Sequence, residues 1–426
     1  MKFRSLNLIV FLYLLINQCY CIGLNNGKFW HITDSHFEFS YDTACTDKKN
    51  DISPIGDYKC DTSPELLISS FEYMKKMEPN PDFILWTGDS PPHFENKNLN
   101  QTIVLSSISN MTNLITEYFP NTRVFPCLGN HDSYPQHQIG IGPNWLFNAT
   151  AQMWSQFLSE DALETFLIGG YYTELVEPGF RIVSLNTNLY YTQDKQCINM
   201  TDPAGQLEWL NSTLASAALA GEKVWVMGHV PPGYNEKYDV FNFHKQFNDE
   251  YLFSFGEYAD IIPFHIYGHE HTDSIRLYYS DIDRLGGVPD GIMFLSPSIT
   301  PWMNKYLPTL PNNPGLRMYQ YNTTDFTLED YYQFWTNLTA DIESNTITWE
   351  LEYQATQFFK VKALDAISMF EAFLLIQSVP EQLQQYYFYN SVSYPTKGCD
   401  AVCKKLQLCT ISCPFSKGFA KCLIEI

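Results

Sequence analysis

The sequence is poor in charge, and poorer still in positive charge. Charged residues make up 17% of its 426 residues, with 26 lysines and arginines against 47 aspartates and glutamates. The resulting net charge of −21 repels polynucleotides and anionic membranes at neutral pH, so no nucleic-acid polymer is expected as a partner. The pI near 4.8 means that this repulsion fades in an acidic compartment, which leaves peripheral membrane contact open there. Past the N-terminus no apolar run approaches the length needed to span a bilayer. Internal repeats and low-complexity tracts are also missing. A hydrophobic content of 45% describes a globular chain rather than a disordered one.

What is present begins with a leader. Lys2 and Arg4 precede the apolar run Leu6 to Ile16, which is short for a membrane span. Residues 1–21 therefore read as a signal peptide, and a short membrane anchor is the alternative. Seven N-x-S/T sequons, at Asn100, Asn110, Asn148, Asn199, Asn211, Asn322 and Asn337, agree with an N-glycosylated surface. Of eleven cysteines, two fall in the leader and nine remain, which leaves at least one thiol free or intermolecular. Five of them crowd residues 399–426, a stapled terminal segment suited to an oxidising compartment.

One arrangement recurs along the chain. A strand-length apolar run ends, and ligand-type residues come at once: KFWHIT before DSH, DFILWTG before DSPPH, TRVFPCLG before NHD, KVWVMG before HVPPG, and IIPFHIYG before HEH. Two similar runs, RIVSLN and GIMFLS, lack the polar ending. Near-continuous hydrophobicity implies strands buried on both faces. Helices intervene. Ser63 and Pro64 open one, with Leu67, Phe71 and Met74 on its inner face; Asp202 and Pro203 open another, with Leu207, Leu210 and Leu214 on one side. Alternating strands and helices predict an α/β fold over 22–306, with groups at the strand ends meeting in one crevice. From about 307 the texture changes to dense aromatics and helical runs, and a helix-rich C-terminal region over 307–426 is expected.

The polar endings supply Asp34, His36, Asp89, Asn130, His131, His229, His269 and His271. Carboxylates and imidazoles suit zinc and other first-row divalent ions. Asp34 with His36, and His269 with His271, each place two ligands on one side of an extended segment. The set is too large for one tetrahedral ion and about right for two ions sharing a carboxylate. His31 and His265 sit inside strand-like runs and read as core groups; His137 is a candidate substrate contact, and His244 has no motif around it.

In this order, D-x-H, GD, GNHD, GH and GHxH resemble the signature of the calcineurin-like metallophosphoesterases. DSH, GDSPPH, GNHD, DPAGQLEWL, GHVPPG and YGHEH, with GCDAVCKKLQLC closing at Cys422, resemble the acid sphingomyelinase family and its phosphodiesterase-like branch. The resemblance implies a four-layer α/β/β/α core with a disulfide-stapled C-terminal region. It implies one zinc held by Asp34, His36 and His271, a second held by Asn130, His229 and His269, and Asp89 bridging them. His131 and His93 resemble the family's proton-handling pair, with His131 favoured as general acid. The same resemblance implies disulfides Cys399–Cys403, Cys409–Cys422 and Cys45–Cys60, and leaves Cys127, Cys197 and Cys413 without partners.

The function so implied is a secreted or lysosomal zinc phosphodiesterase, expected as a monomer. It would cleave sphingomyelin to ceramide and phosphocholine, or a related phosphodiester. Only twelve residues separate the expected cut from Asp34, so the lipid-extracting domain of full-length sphingomyelinases is not expected, and a nucleotide or nucleotide-choline substrate is the alternative. A non-catalytic binding protein is disfavoured by the intact ligand set. A phosphatase with an iron-bound tyrosinate is disfavoured because Pro92 stands three residues after Asp89.

Overall fold

The computed structural model describes residues 26–41, 52–281, 285–304 and 310–425. The expected signal peptide lies outside them. Fourteen strands are present among the described residues: β1 (Asn26–Ile32), β2 (Phe83–Trp86), β3 (Arg123–Pro126), β4 (Tyr172–Glu177), β5 (Phe180–Ser184), β6 (Lys223–Met227), β7 (Tyr234–Asn235), β8 (Val240–Phe241), β9 (His265–Tyr267), β10 (Ser274–Tyr278), β11 (Gly291–Leu295), β12 (Gly315–Asn322), β13 (Leu328–Thr336) and β14 (Trp349–Gln354). They form two six-stranded sheets, in the orders β14-β13-β12-β1-β2-β3 and β10-β11-β9-β6-β5-β4, and a small β7–β8 hairpin.

The apolar runs that end in ligand-type residues are β1, β2, β3, β6 and β9, and the two without that ending are β5 and β11. Within each sheet the ligand-bearing strands are parallel: β1 with β2, β2 with β3, and β6 with β9. Their C-terminal ends therefore emerge together. The sheets pack face to face through aromatic rings. Phe29 on β1 lies 5.1 Å from Trp225 on β6, and Phe294 on β11 lies 6.2 Å from Tyr319 on β12. Burial on this inner face and under helices on the outer faces explains why β2 and β11 are buried at every position.

Helices cover the outer faces. Pro64–Met77 begins as its sequence predicts, with the Ser63 hydroxyl accepting from the Leu66 N–H at 3.1 Å and Leu67, Phe71 and Met74 buried. The helix predicted after Asp202 starts later, at Gln206. Pro203–Gly205 form a 3-10 turn, and the Asp202 carboxylate reaches across it to accept from the N–H groups of Leu207 (2.9 Å) and Glu208 (3.1 Å). Gln206–Ala220 then packs on β6.

The expected helical region from 307 differs in one respect. Its first part supplies β12, β13 and β14, and β12 pairs directly with β1, Phe29 opposite Tyr319. Part of the aromatic density of this stretch is the inward face of strands: Tyr331 and Phe334 of β13 are buried in the core, while Tyr332 and Trp335 are half-buried. Helices come after them at Ala366–Ser378, Pro380–Asn390, Ala401–Ser412 and Ser416–Glu425. The Cys399–Cys403 and Cys409–Cys422 disulfides are present, and Cys127, Cys197 and Cys413 are free and buried. Cys60 is disulfide-bonded, while Cys45 lies outside the described residues.

Candidate metal centre and active site

Three of the five strand ends, those of β1, β2 and β9, turn sharply before delivering their side chains. Asp34, His36, Asp89, His269 and His271 all have positive φ, between 38° and 72°, where a non-glycine residue is strained. Two glycines make the close approach feasible. Gly88 (φ 89°) would drive a side chain into the Gly129 backbone, and a Cβ on Gly129 would collide with Asp89. Strand ends from both sheets can then converge within a few ångströms.

Asp34, His36 and Asp89 form one group whose ligand atoms lie within 4.8 Å of one another, and Asp89, His229 and His269 form a second. Asp89 is common to both, as a bridging carboxylate must be. The Asp89 Oδ2 lies 3.5 Å from His36 Nε2 and 3.1 Å from His229 Nε2. Asp34 Oδ1 lies 3.3 Å from His271 Nε2. Asn130 Oδ1 lies 3.0 Å from His229 Nε2 and 2.7 Å from His269 Nδ1. All seven predicted ligands are thus brought together.

The histidine tautomers are set from behind. His36 Nδ1 donates to the Pro91 carbonyl (2.8 Å) and His229 Nδ1 to the Thr87 carbonyl (2.6 Å). Each neutral ring therefore turns an Nε2 lone pair toward the cluster. Around His229 Nε2 stand Asn130 Oδ1 and Asp89 Oδ2, also electron-pair donors, and Asp34 Oδ1 and His36 Nε2 are buried without a hydrogen-bond partner. Only protons or cations reconcile such a set. In the side chains alone, protons do so. Burial works to lower the pKa of His36, but the Asp34 carboxylate, 3.7 Å from Nε2, and the charge of Asp89 outweigh it and raise it to about 9. For His229, burial is likewise outweighed by Asp89 and Asp34, again to about 9. Burial disfavours the charge of Asp34, yet His229, His271 and His36 hold its carboxyl well below the usual range. Two divalent cations fit the same positions.

His93 and His131 flank the cluster, ring centroids 4.5 Å apart. His93 stacks on Trp302 at 3.8 Å, nearly parallel, and on His36 at 3.8 Å. With His36 and His271 it also forms a group of metal-ligating type, but its Nδ1 is engaged by Asp61 at 2.7 Å. His131 Nδ1 is buried without a partner, and burial together with the neighbouring imidazoles, His93 first, holds its pKa well below the ordinary value. His137 lines the same cavity, with its Nδ1 accepting from the Asn130 amide at 2.8 Å. His31 is a core group bonded to Thr87 and Ser296, His265 is buried against Phe255, and His244 meets the Asp194 carbonyl.

Sequence reasoning missed two carboxylates. Asp132 accepts from the N–H groups of Asp89 (2.9 Å), Ser90 (3.0 Å) and Gly129 (2.7 Å), bracing two ligand loops at once. It is the last residue of GNHD, so a signal was present. Asp61 has no motif. The cavity in front of the cluster measures about 470 Å³ and is walled by rings (Trp302, Tyr191, Tyr238) and amides (Gln136, Gln193, Asn235).

Paired sheets with ligand-bearing strand ends define a calcineurin-like phosphoesterase, and the model of that family, "Calcineurin-like phosphoesterase", matches residues 27–273. A second model, "Acid sphingomyelin phosphodiesterase C-terminal region", matches residues 289–425. The chain belongs to the acid sphingomyelinase family of calcineurin-like phosphoesterases and is a phosphodiesterase hydrolase. It is 63% identical to "Sphingomyelinase phosphodiesterase C" of Dictyostelium discoideum, over the whole of both chains. It is 39% identical to "Acid sphingomyelinase-like phosphodiesterase 3b" of Mus musculus, over 94% of this chain and 91% of that one. It is 37% identical to "Cyclic GMP-AMP phosphodiesterase SMPDL3A" of Homo sapiens, over 94% and 90%. Enzymes of this fold carry a dinuclear metal site, and the two overlapping His/Asp groups are its candidates here.

Proposed function

We propose that the chain is a dizinc phosphodiesterase, secreted or lysosomal, that hydrolyses sphingomyelin or a related phosphodiester. The observation that carries this reading is the sharing of Asp89 between two ligand groups. Asp34, His36 and His271 would hold one ion, Asn130, His229 and His269 the other, and imidazole with carboxylate donors suits zinc. When bound, such a pair neutralises the phosphate oxygens and lowers the pKa of water to near neutrality. The chain's own residues do the rest. The carbonyls of Thr87 and Pro91 fix two ligand rings, the strand-end turns hold the ligands rigidly, and His131 and His93 handle the proton needed by a leaving alkoxide. Six of the seven sequon asparagines are exposed and Asn322 is half-buried, which supports surface glycans and export. Among the described residues no helix is long and apolar enough to cross a membrane, in keeping with at most peripheral contact.

A second substrate reading rests on the cavity. Amide side chains pair with the donors and acceptors of a nucleobase edge, and Tyr191, Tyr238 and Trp302 offer faces for stacking. A nucleotide phosphodiester fits such walls, and one relative is named for that activity. The deciding experiment assays the zinc-loaded protein at about pH 5, where histidines protonate. Its substrates are sphingomyelin with and without detergent, a nucleoside triphosphate, a cyclic dinucleotide and an aryl phosphodiester. Turnover of sphingomyelin supports the first reading, and turnover of nucleotides alone supports the second. Failure on all of them refutes both.

A further inference from the structure

His93 is held more completely than a residue in a turn requires. Asp61 grips it twice: Oδ1 faces His93 Nδ1 at 2.7 Å, and Oδ2 accepts from the His93 backbone N–H at 2.7 Å. A third hydrogen bond, from the Thr300 hydroxyl to Asp61 Oδ1 at 3.2 Å, fixes the carboxylate. Asp61 is itself buried, at 4% exposure. The segment that follows it is tied to the loop that carries a proposed metal ligand: the Thr62 N–H donates to the His36 carbonyl (3.1 Å), and the Glu38 N–H donates to the Thr62 carbonyl (3.2 Å). The next residue, Ser63, caps helix Pro64–Met77. Asp61 is therefore placed by the same framework that places His36.

Among the described residues His131 has nothing comparable. Its backbone N–H donates to Asp89 at 2.7 Å, but its buried Nδ1 has no partner there, and its ring meets those of His93, His137 and His36 edge-on.

We propose that Asp61 is a positioning residue for His93, and that the Asp61–His93 pair, rather than His131, delivers the proton to the leaving oxygen. This inference rests on the phosphodiesterase reading above. Because a carboxylate only accepts, Asp61 Oδ1 keeps the His93 proton on Nδ1 and turns Nε2 away from it. Stacking between His36 and Trp302 leaves the ring one orientation. In the step, water forms the new P–O bond and releases a proton to solvent. The P–O bond to the leaving group breaks, and the Nε2 proton moves to that oxygen. His93 is left neutral, with Nδ1–H still on Asp61, and regains its proton from solvent.

The test uses the full chain loaded with zinc and two substrates that differ in leaving group. An alkyl phosphodiester needs its leaving oxygen protonated, whereas a p-nitrophenyl phosphodiester departs without help. Asp61→Asn keeps the shape but presents an amide. It is expected to lower kcat on the alkyl substrate by about 10²-fold, with KM little changed, and to leave p-nitrophenyl turnover within about threefold. Placed on His93→Ala, Asp61→Asn is expected to add nothing further, since it acts only through that ring. Equal losses on both substrates, or additive losses in the double variant, would assign Asp61 to structure and overturn the proposal. Thr300→Val, which removes the third hydrogen bond together with the one that the Trp302 N–H makes to the same hydroxyl (3.3 Å), should give a smaller loss with the same leaving-group bias, and it decides the matter if Asp61→Asn does not fold. An unchanged Asp61→Asn enzyme also overturns the proposal. A wild-type protein inactive on both substrates defeats instead the reading on which it rests.

Discussion

At Gly129 a single hydrogen atom separates two ligand loops. A Cβ there would occupy the space of the Asp89 carboxylate, and Asp89 is the residue proposed to serve both metals. Gly129→Ala should therefore fold, with an unchanged circular dichroism spectrum, yet bind fewer than two zinc ions per chain and lose at least about 10²-fold in kcat, the usual effect of an ångström-scale displacement of catalytic groups. Elemental analysis and the aryl phosphodiester assay check this, and a fully loaded, fully active variant would show that the close approach is dispensable. The residue scale is also where the sequence was most legible. Every ligand-type residue at the end of an apolar run reached the cluster, because parallel strands in one sheet bring their C-terminal residues to the same edge. Asp61 was not legible, since its role comes from a pairing with Thr300 and His93 that no local pattern encodes. Asp132 was legible as part of GNHD, but its task of bracing the Asp89 loop appears only once the two loops are side by side.

Among the elements, the helix after Asp202 shows how a correct signal can be misplaced. Asp-Pro reads as a cap and first helical residue, yet the chain inserts one 3-10 turn and the carboxylate caps from outside it. Asp202→Ala leaves two N–H groups of the first turn without that partner. It should destabilise the protein by about 1 kcal/mol, the usual cost of a lost cap, with activity unchanged because the helix lies on the outer face of β6. A shift in the thermal or urea midpoint measures it, and no shift would mean that solvent satisfies the turn equally well. The larger misreading at this scale was β12 to β14. Tyrosine, phenylalanine and tryptophan are good strand formers, but burial along β13 does not alternate, because the strand bulges against β14, so the period-two signal is lost. Helical runs further on, which have their own caps at Asp365 and Asp400, could be read locally.

For the whole molecule, the second sheet and the return of β12 to β1 are long-range facts, which is why composition and periodicity predicted an α/β core but not the pairing that closes it. That closure buries a polar cluster between the sheets and the C-terminal helices. Arg317 of β12 pairs with Asp273 at 2.6 Å, Tyr353 donates to the same aspartate, and Arg317 lies over the Tyr331 ring at 4.1 Å. Glu352 of β14 faces this group, with one carboxyl oxygen accepting from Ser393 at 2.6 Å and the other buried without a partner. Burial pushes its pKa well above the ordinary 4.5, and the charge of Asp273 adds to this, while Ser393 and Arg317 oppose it. The folded protein therefore keeps a proton on Glu352 that the unfolded chain releases once the pH exceeds about 4.5. The stability this group contributes is complete below that value and falls as pH rises toward the folded pKa, by about 1.4 kcal/mol for each pH unit in between. That direction favours the acidic working range proposed for the enzyme. Glu352→Gln is neutral in both states and can still accept from Ser393, so its stability should lack this slope. Melting temperatures at pH 4 and pH 7.5 should be similar for variant and wild type in acid, with the variant higher at pH 7.5; a gap that is the same at both pH values would mean that Glu352 is already ionised in the fold.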